Sequence, residues 1–219
     1  MSTTNPQASL PAADFHEVIK SRRSVRKYDP DFKLTDEEIK ELLTTATLAP
    51  SGSNMQPWRF IVITDSELKQ KLLPIAFNQE QVVAASAVIA VLVDLQAYTE
   101  APRIYGKAVE AGYMNEETAA KLVENMNRFY GSLPPERALQ SALIDGGLVS
   151  QQLMLAARAR GLDTVPMAGY NVDQFRELLQ ISDRYANVML IALGKAAQPG
   201  HPSVRLHVDE ITHWNGFNV

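Results

Sequence analysis

The sequence predicts one globular domain in which helices pack around buried β-strands. Three observations carry this. Two apolar runs of strand length, 87–93 and 188–193, lack the polar alternation of a half-exposed strand, so both of their faces should be covered. Helical periodicities with capping signals precede and follow them. Nothing in the 219 residues, 46% hydrophobic and 21% charged, reads as a linker or an internal repeat.

Residues 1–12 are polar and read as a disordered N-terminus, with the domain at 13–219. A first helix is expected over about 13–21, with Asp14 as N-cap and Phe15, Val18 and Ile19 as its apolar stripe. Arg22, Arg23, Arg26 and Lys27 follow, with Ser24 among them. Such a segment is either a solvated basic turn complementing the helix dipole or an anion site, since Arg offers a planar fork and Ser a hydroxyl. If Val25 turns inward in extended backbone, Ser24 and Arg26 share the opposite face.

Thr35 to Glu38 is a capping box, and Ile39, Leu42, Leu43 and Ala46 recur at helical spacing. The helix should end near Ala49, because Pro50 disfavours α geometry before it. Between Pro50 and Pro57 lie Ser51, Gly52, Ser53, Asn54 and Gln56, a loop rich in donors that is either a ligand site or only a turn. Residues 58–63 read as a strand. Thr64 to Glu67 is a second capping box, opening a helix with Leu68, Leu72 and Leu73. A polar stretch at 77–81 leads to a short helix over 82–85 and then the strand at 87–93.

Residues 95–133 change character, with Tyr98, Tyr105, Tyr113, Phe129 and Tyr130 among many charges. Helices over about 98–111 and 115–130, with no strand between, predict an excursion from the sheet. It serves as a lid or pocket wall, or merely covers core. Pro134–Pro135 ends it. A long helix over 136–160 stops at Gly161, a natural left-handed terminator. Gly146–Gly147 in its middle predicts close approach of another helix, with a subunit interface as a reasonable place. A short strand at 163–167 runs into the small-residue turn 166–170, Asn171 caps a helix over 172–180, and 201–219 reads as an extended arm that needs a body to lie on.

Several classes of function drop out. With no cysteine there is no disulfide, thiol catalysis or thiolate metal site. His16, His201, His207 and His213 form no metal-ligand spacing, so no metal is expected. The net charge of −4 and the lack of long basic runs speak against nucleic acid. No signal peptide pattern and no ~20-residue apolar span is present, so the expectation is a soluble cytoplasmic protein with no membrane partner.

Taken in order and spacing, the Arg22-Arg23-Ser24-Val25-Arg26 segment, the capped helix, the loop from Pro50 to Trp58 and the late Arg205 resemble the nitroreductase family of FMN-dependent oxidoreductases, from about Phe15 onward. The resemblance implies an α+β fold, a central mixed β-sheet flanked by helices, in an intertwined homodimer with exchange of the C-terminal arm. It implies FMN at the subunit interface and NAD(P)H as co-substrate. Arg22, Ser24 and Arg205 would hold the phosphate, with Arg23 nearby. Arg26 and Asn78 would meet the pyrimidine side of the ring. Ser51, Ser53, Asn54 and Gln56 would reach across from the other subunit, and Pro166, Met167, Ala168 and Gly169 would line the ring, with a backbone N–H near flavin N5. Gln81 would join the cofactor contacts; it and Ala168 stand where some family members carry lysine and an acidic residue. The activity implied is ping-pong hydride transfer from NAD(P)H through flavin N5 to a nitroaromatic, quinone or similar small-molecule acceptor, with no catalytic side chain required. Alternatives are a non-catalytic FMN-binding or redox-sensing protein, a flavin-cleaving or dehalogenating relative, and a plain phosphate-binding module.

Overall fold

A computed structural model describes residues 14–217. Four strands form one sheet: β1 (Trp58–Ile63), β2 (Ala87–Asp94), β3 (Asp163–Met167) and β4 (Tyr185–Gly194), in the order β1-β2-β4-β3. All three pairings are antiparallel, with Trp58 opposite Val93 and Met167 opposite Leu190. The parallel contribution to the expected mixed sheet is a single bridge between Ser24 and Thr164, where the arginine-rich segment runs along the outer edge of β3. The Val25 N–H donates to the Thr164 carbonyl there at 3.1 Å.

Eight α-helices surround the sheet: α1 (Phe15–Ser21), α2 (Asp36–Ala46), α3 (Ser66–Ile75), α4 (Gln81–Ala84), α5 (Ala101–Glu110), α6 (Glu116–Gly131), α7 (Pro135–Ala159) and α8 (Val172–Leu178). Strand β2 is buried along its whole length because both faces are covered. Val88 and Ala90 join Leu72, Val82 and Phe175 in a core beneath α3, α4 and α8. Ala87, Ile89 and Val91 join Ile39, Leu42, Val149 and Leu153 in a second core beneath α2 and α7. The absence of polar alternation in the sequence thus reflects burial from two sides.

Capping chemistry sets the helix ends. Asp14 accepts from the Glu17 N–H at 3.0 Å as expected; the part of the first expected helix at Ala13 lies outside the described residues. The Thr35–Glu38 box is formed reciprocally. Its helix stops at Ala46, earlier than expected, because residues 47–49 unwind into a turn before Pro50. The second box is corrected: Asp65, not Thr64, is the N-cap, accepting from the Leu68 N–H at 2.7 Å, so the helix begins one residue later. Gly161 ends α7 at φ +73°, and the Leu162 N–H returns to the Ala157 carbonyl at 3.0 Å.

Two expectations about packing change. Gly146 faces the sheet rather than another helix: a Cβ there would lie 2.5 Å from Val188 Cγ2 and 3.0 Å from Val93 Cγ1. Gly147 points the other way, into open space in this chain. The excursion forms its own small core, and Met55 of the Pro50–Trp58 loop is buried in it beside Ala97, Ala101, Tyr105 and Ala119. It therefore grips that loop as well as covering the body. The stretch 201–217 is irregular, with one 3₁₀ turn and bends at 211 and 214–216, and its Val204, Leu206, Trp214 and Phe217 side chains are exposed. No helix among the described residues is long and apolar enough to cross a membrane.

Candidate functional site

The expected site residues fall into two groups. The first lies along the outer edge of β3. Arg22 is the C-cap of α1, its N–H donating to the Val18 carbonyl at 3.0 Å. Burial holds its guanidinium below the usual arginine range, and the positive charges of Arg205 and Arg23 push it further the same way. The structure thus brings Arg205, in the exposed arm, within electrostatic reach of Arg22, although 183 positions separate them in the sequence. Guanidiniums gathered like this repel one another until an anion joins them. Arg23 acts locally. Its Nη1 donates to the Lys20 carbonyl and, at 2.8 Å, to that of Arg22, satisfying the orphan acceptors at the end of α1. Val25 is buried and its neighbours Ser24 and Arg26 are not, which is the alternation expected of extended backbone.

The same edge continues into the turn after β3. Pro166 is half-buried and Met167 buried, whereas Ala168 and Gly169 are exposed. A Cβ on Gly169 would meet nothing within 4 Å, so the turn presents bare backbone to open space. Asn78 follows Phe77, both with left-handed backbone at φ 56° and 54°, and both are exposed. Gln79 ties this loop to the turn, its Nε2 donating to the Gly169 carbonyl at 2.7 Å. Lys27 pairs with Glu80 at 2.7 Å and ties it to the arginine segment. Gln81 is buried, and its amide donates to Gln79 Oε1 at 2.9 Å and Met167 Sδ at 3.4 Å, behind the surface.

The second group is the proline-bounded loop at the start of β1. Ser53, Asn54 and Gln56 all have positive φ, at 51°, 57° and 49°. Such backbone costs each non-glycine residue on the order of 1 kcal/mol, so the surroundings must impose it. They do. The Gly52 N–H donates to both carboxylate oxygens of Asp145 on α7, at 3.1 and 3.2 Å. The Tyr105 hydroxyl on α5 donates to the Ser53 carbonyl at 2.9 Å. Ser51 is turned inward and its Oγ accepts from the Gln56 N–H at 3.0 Å. The Gln56 amide donates to Asn54 Oδ1 at 3.3 Å. Ser53 and Asn54 are left as the exposed polar pair.

A single chain does not bring the two groups together. They sit at opposite edges of the sheet, with β2 and β4 between. Three strand spacings of ~4.8 Å place the edges about 14 Å apart. Asp145, Tyr105 and Gln79 carry the local geometry and escaped sequence reasoning, because their partners are remote in the chain. One signal for Asp145 was present: it is the acidic residue amid the apolar and small positions 142–149 of the long helix.

A family model described as the nitroreductase family matches residues 19–195. A Bacillus subtilis protein named "Putative NAD(P)H nitroreductase YdgI" is 48% identical over 203 residues, 92% of this chain and 97% of its own length. The crystal structure of a nitroreductase of that same provisional kind from Exiguobacterium sibiricum, in complex with FMN, superposes with a TM-score of 0.90 at 48% identity, covering 93% of this chain and 98% of that one. The CLA biosynthesis enone reductase of Lactiplantibacillus plantarum is 33% identical over 84% of this chain and 89% of its own length.

Proposed function

From the premise that this chain belongs to the nitroreductase family, we propose that it is an NAD(P)H-dependent FMN oxidoreductase acting as a homodimer. The observation that carries the reading is the run of the arginine-rich segment with Ser24 along the outer edge of β3, which continues into the bare turn at 168–169, with Arg205 near enough for its charge to act on Arg22. This donor set fits FMN. Its phosphate carries nearly two negative charges at neutral pH and matches two guanidiniums and a hydroxyl, while a flat ring can lie against backbone that has no side chain in the way.

Arg22, Ser24 and Arg205 bind and orient the phosphate, with Arg23 holding the end of α1 in place beneath them. Arg26 and Asn78 face the pyrimidine edge, where a cation stabilises negative charge at N1 and O2. Pro166 to Gly169 would line the ring, and their exposed backbone could offer it an N–H donor. When bound, FMN would supply the redox chemistry, by which NAD(P)H reduces a nitroaromatic, quinone or similar acceptor in a ping-pong cycle. The protein needs no nucleophile or acid of its own; its residues hold, orient and exclude water.

The second subunit enters for a geometric reason. Ser53 and Asn54 lie at the far edge of the sheet, too distant to close on a ring held at β3 of their own chain. A two-fold partner brings its copy of the loop across. The arm beyond residue 200 supports the same reading, since its apolar side chains are exposed on their own body and have a natural seat on a partner. The test is a visible absorption spectrum of the purified protein before and after anaerobic NADH or NADPH. A bound flavin that bleaches on reduction and recovers with menadione or a nitroaromatic is expected. Colourless protein that takes up no FMN overturns the reading, and NAD(P)H consumption no faster than with free FMN reduces it to a flavin-binding protein.

A further inference from the structure

We propose that Asp145 and Tyr105 form a buried clamp that holds Gly52 and the Ser53 carbonyl from below and so sets the left-handed backbone of Ser53 and Asn54, making Asp145 a positioning residue for the half of the site that the loop supplies. The ligand role of the loop rests on the function proposed above; the clamp itself does not.

Four observations converge. Asp145 is buried, only 7% exposed, and both its oxygens face one backbone N–H. A lone carboxylate is costly to bury, and burial does push this one above the usual carboxylate range, with the Gly52 N–H opposing. Asp94, the other buried carboxylate, by contrast is tied to Arg59 and Arg184. Second, Tyr105 anchors the next peptide, and the Tyr130 hydroxyl would lie 3.1 Å from a Cβ at position 52, so any other residue there would crowd the clamp. Third, Met55 roots the far end of the loop in the core of the excursion. Fourth, two of the loop's three left-handed residues, Ser53 and Asn54, fall within the stretch these anchors span, and the third, Gln56, follows directly after Met55. Strain is held where the surroundings over-determine it, and here they direct the Ser53 and Asn54 side chains outward. The excursion and α7 thus act on the ligand edge through backbone, without touching it.

The full-length protein tests this with Asp145→Ala, Asp145→Asn and Tyr105→Phe. Asn keeps a carbonyl acceptor for the Gly52 N–H and Ala does not. Amide hydrogen exchange, read in the flavin-stripped protein, should accelerate at least tenfold at residues 52–55 in Asp145→Ala. It should stay within threefold of wild type in Asp145→Asn and be unchanged in β2 and α7. The FMN Kd should rise at least tenfold in Asp145→Ala, with Asp145→Asn rescuing most of it. If Asp145→Ala fails to fold, Tyr105→Phe decides, with faster exchange confined to the same residues. Wild-type exchange at 52–55 in Asp145→Ala or, where that variant does not fold, in Tyr105→Phe overturns the clamp. So does equal loss in Asp145→Asn and Asp145→Ala, or acceleration spread over the whole chain. Wild-type protein that binds no FMN defeats the proposed function instead and leaves the exchange result to stand alone.

Discussion

Gly146 and Gly147 are adjacent in α7, yet replacing each with alanine should have opposite effects. Alanine in place of glycine inside a helix gains about 1 kcal/mol from backbone entropy alone. At position 146 the added methyl would meet Val188 Cγ2 at 2.5 Å and Val93 Cγ1 at 3.0 Å. Both neighbours are β-branched and stiff at χ1; Val93 is paired on both sides within β2, and Val188, the residue the register skips at the bulge of β4, is held between the paired Asn187 and Met189. Relief therefore requires the helix to lift from the sheet. Overpacking of this kind costs roughly 1–3 kcal/mol, so Gly146→Ala should destabilise by about 1–2 kcal/mol net. For a chain of this length, each kcal/mol lowers Tm by about 2–4 °C. Thermal unfolding at fixed protein and FMN concentrations measures it, since ligand and dimer both raise the midpoint. A Gly146→Ala protein as stable as wild type, or more so, would refute the packing argument. Gly147→Ala is the internal control: nothing in its own chain lies within 4 Å, so the ~1 kcal/mol helix gain should appear in full on an uncovered face. The exposed Ile144 and Leu148 share that stretch of helix. If a second subunit covers it, the gain shrinks and the dimer dissociation constant rises.

Other predictions follow from the charges and the loop. Burial pushes Asp94 upward, but hydrogen bonds from Arg184 and the Gln96 N–H, with the charge of Arg59, outweigh it and hold the carboxyl below its ordinary range. Its stabilisation is therefore present above about pH 4 and is lost as pH falls through the lower folded value. Asp94→Asn should cost about 3 kcal/mol near neutrality and flatten the acid limb of a urea-stability profile, and an unchanged acid limb would count against this assignment. Arg22→Ala should weaken FMN binding about 10- to 100-fold, as measured by fluorescence quenching on titration, with a shallower salt dependence than wild type. Asn54→Ala should lower FMN affinity by about tenfold while leaving Tm within about 1 °C, and protein forced to be monomeric should lose FMN with every residue intact.

Most of the secondary structure was legible because it rests on local chemistry. Asp14, Thr35 and Asn171 cap helices through their own side chains, and Gly161 ends one through its own backbone freedom. Strand β2 was readable because burial on both faces removes polar residues from a continuous run. Residues 185–187 at the start of β4 were not, since they are only partly covered and carry no such run. The Thr64 box was a near miss of the same kind: two adjacent capping side chains compete for one helix start, and the shorter reach of Asp65 to the Leu68 N–H wins.

The sequence by itself determined the inventory of the candidate site. The arginine segment, the donors between Pro50 and Pro57 and the small turn after β3 were visible as residue types that suit a phosphate and a flat ring, and Arg205 came with the family resemblance. What only the tertiary structure decided is their arrangement. It placed the charge of Arg205 within reach of Arg22, put the loop and the turn on opposite sheet edges, and turned Gly146 onto the sheet. It also turned Ser51 and Gln81 inward and placed Asp145 and Tyr105 beneath the loop. The physical reason is range. Capping, periodicity and turn propensity act within a few residues, whereas a buried hydrogen bond or a close packing contact depends on which distant segments the sheet order brings together.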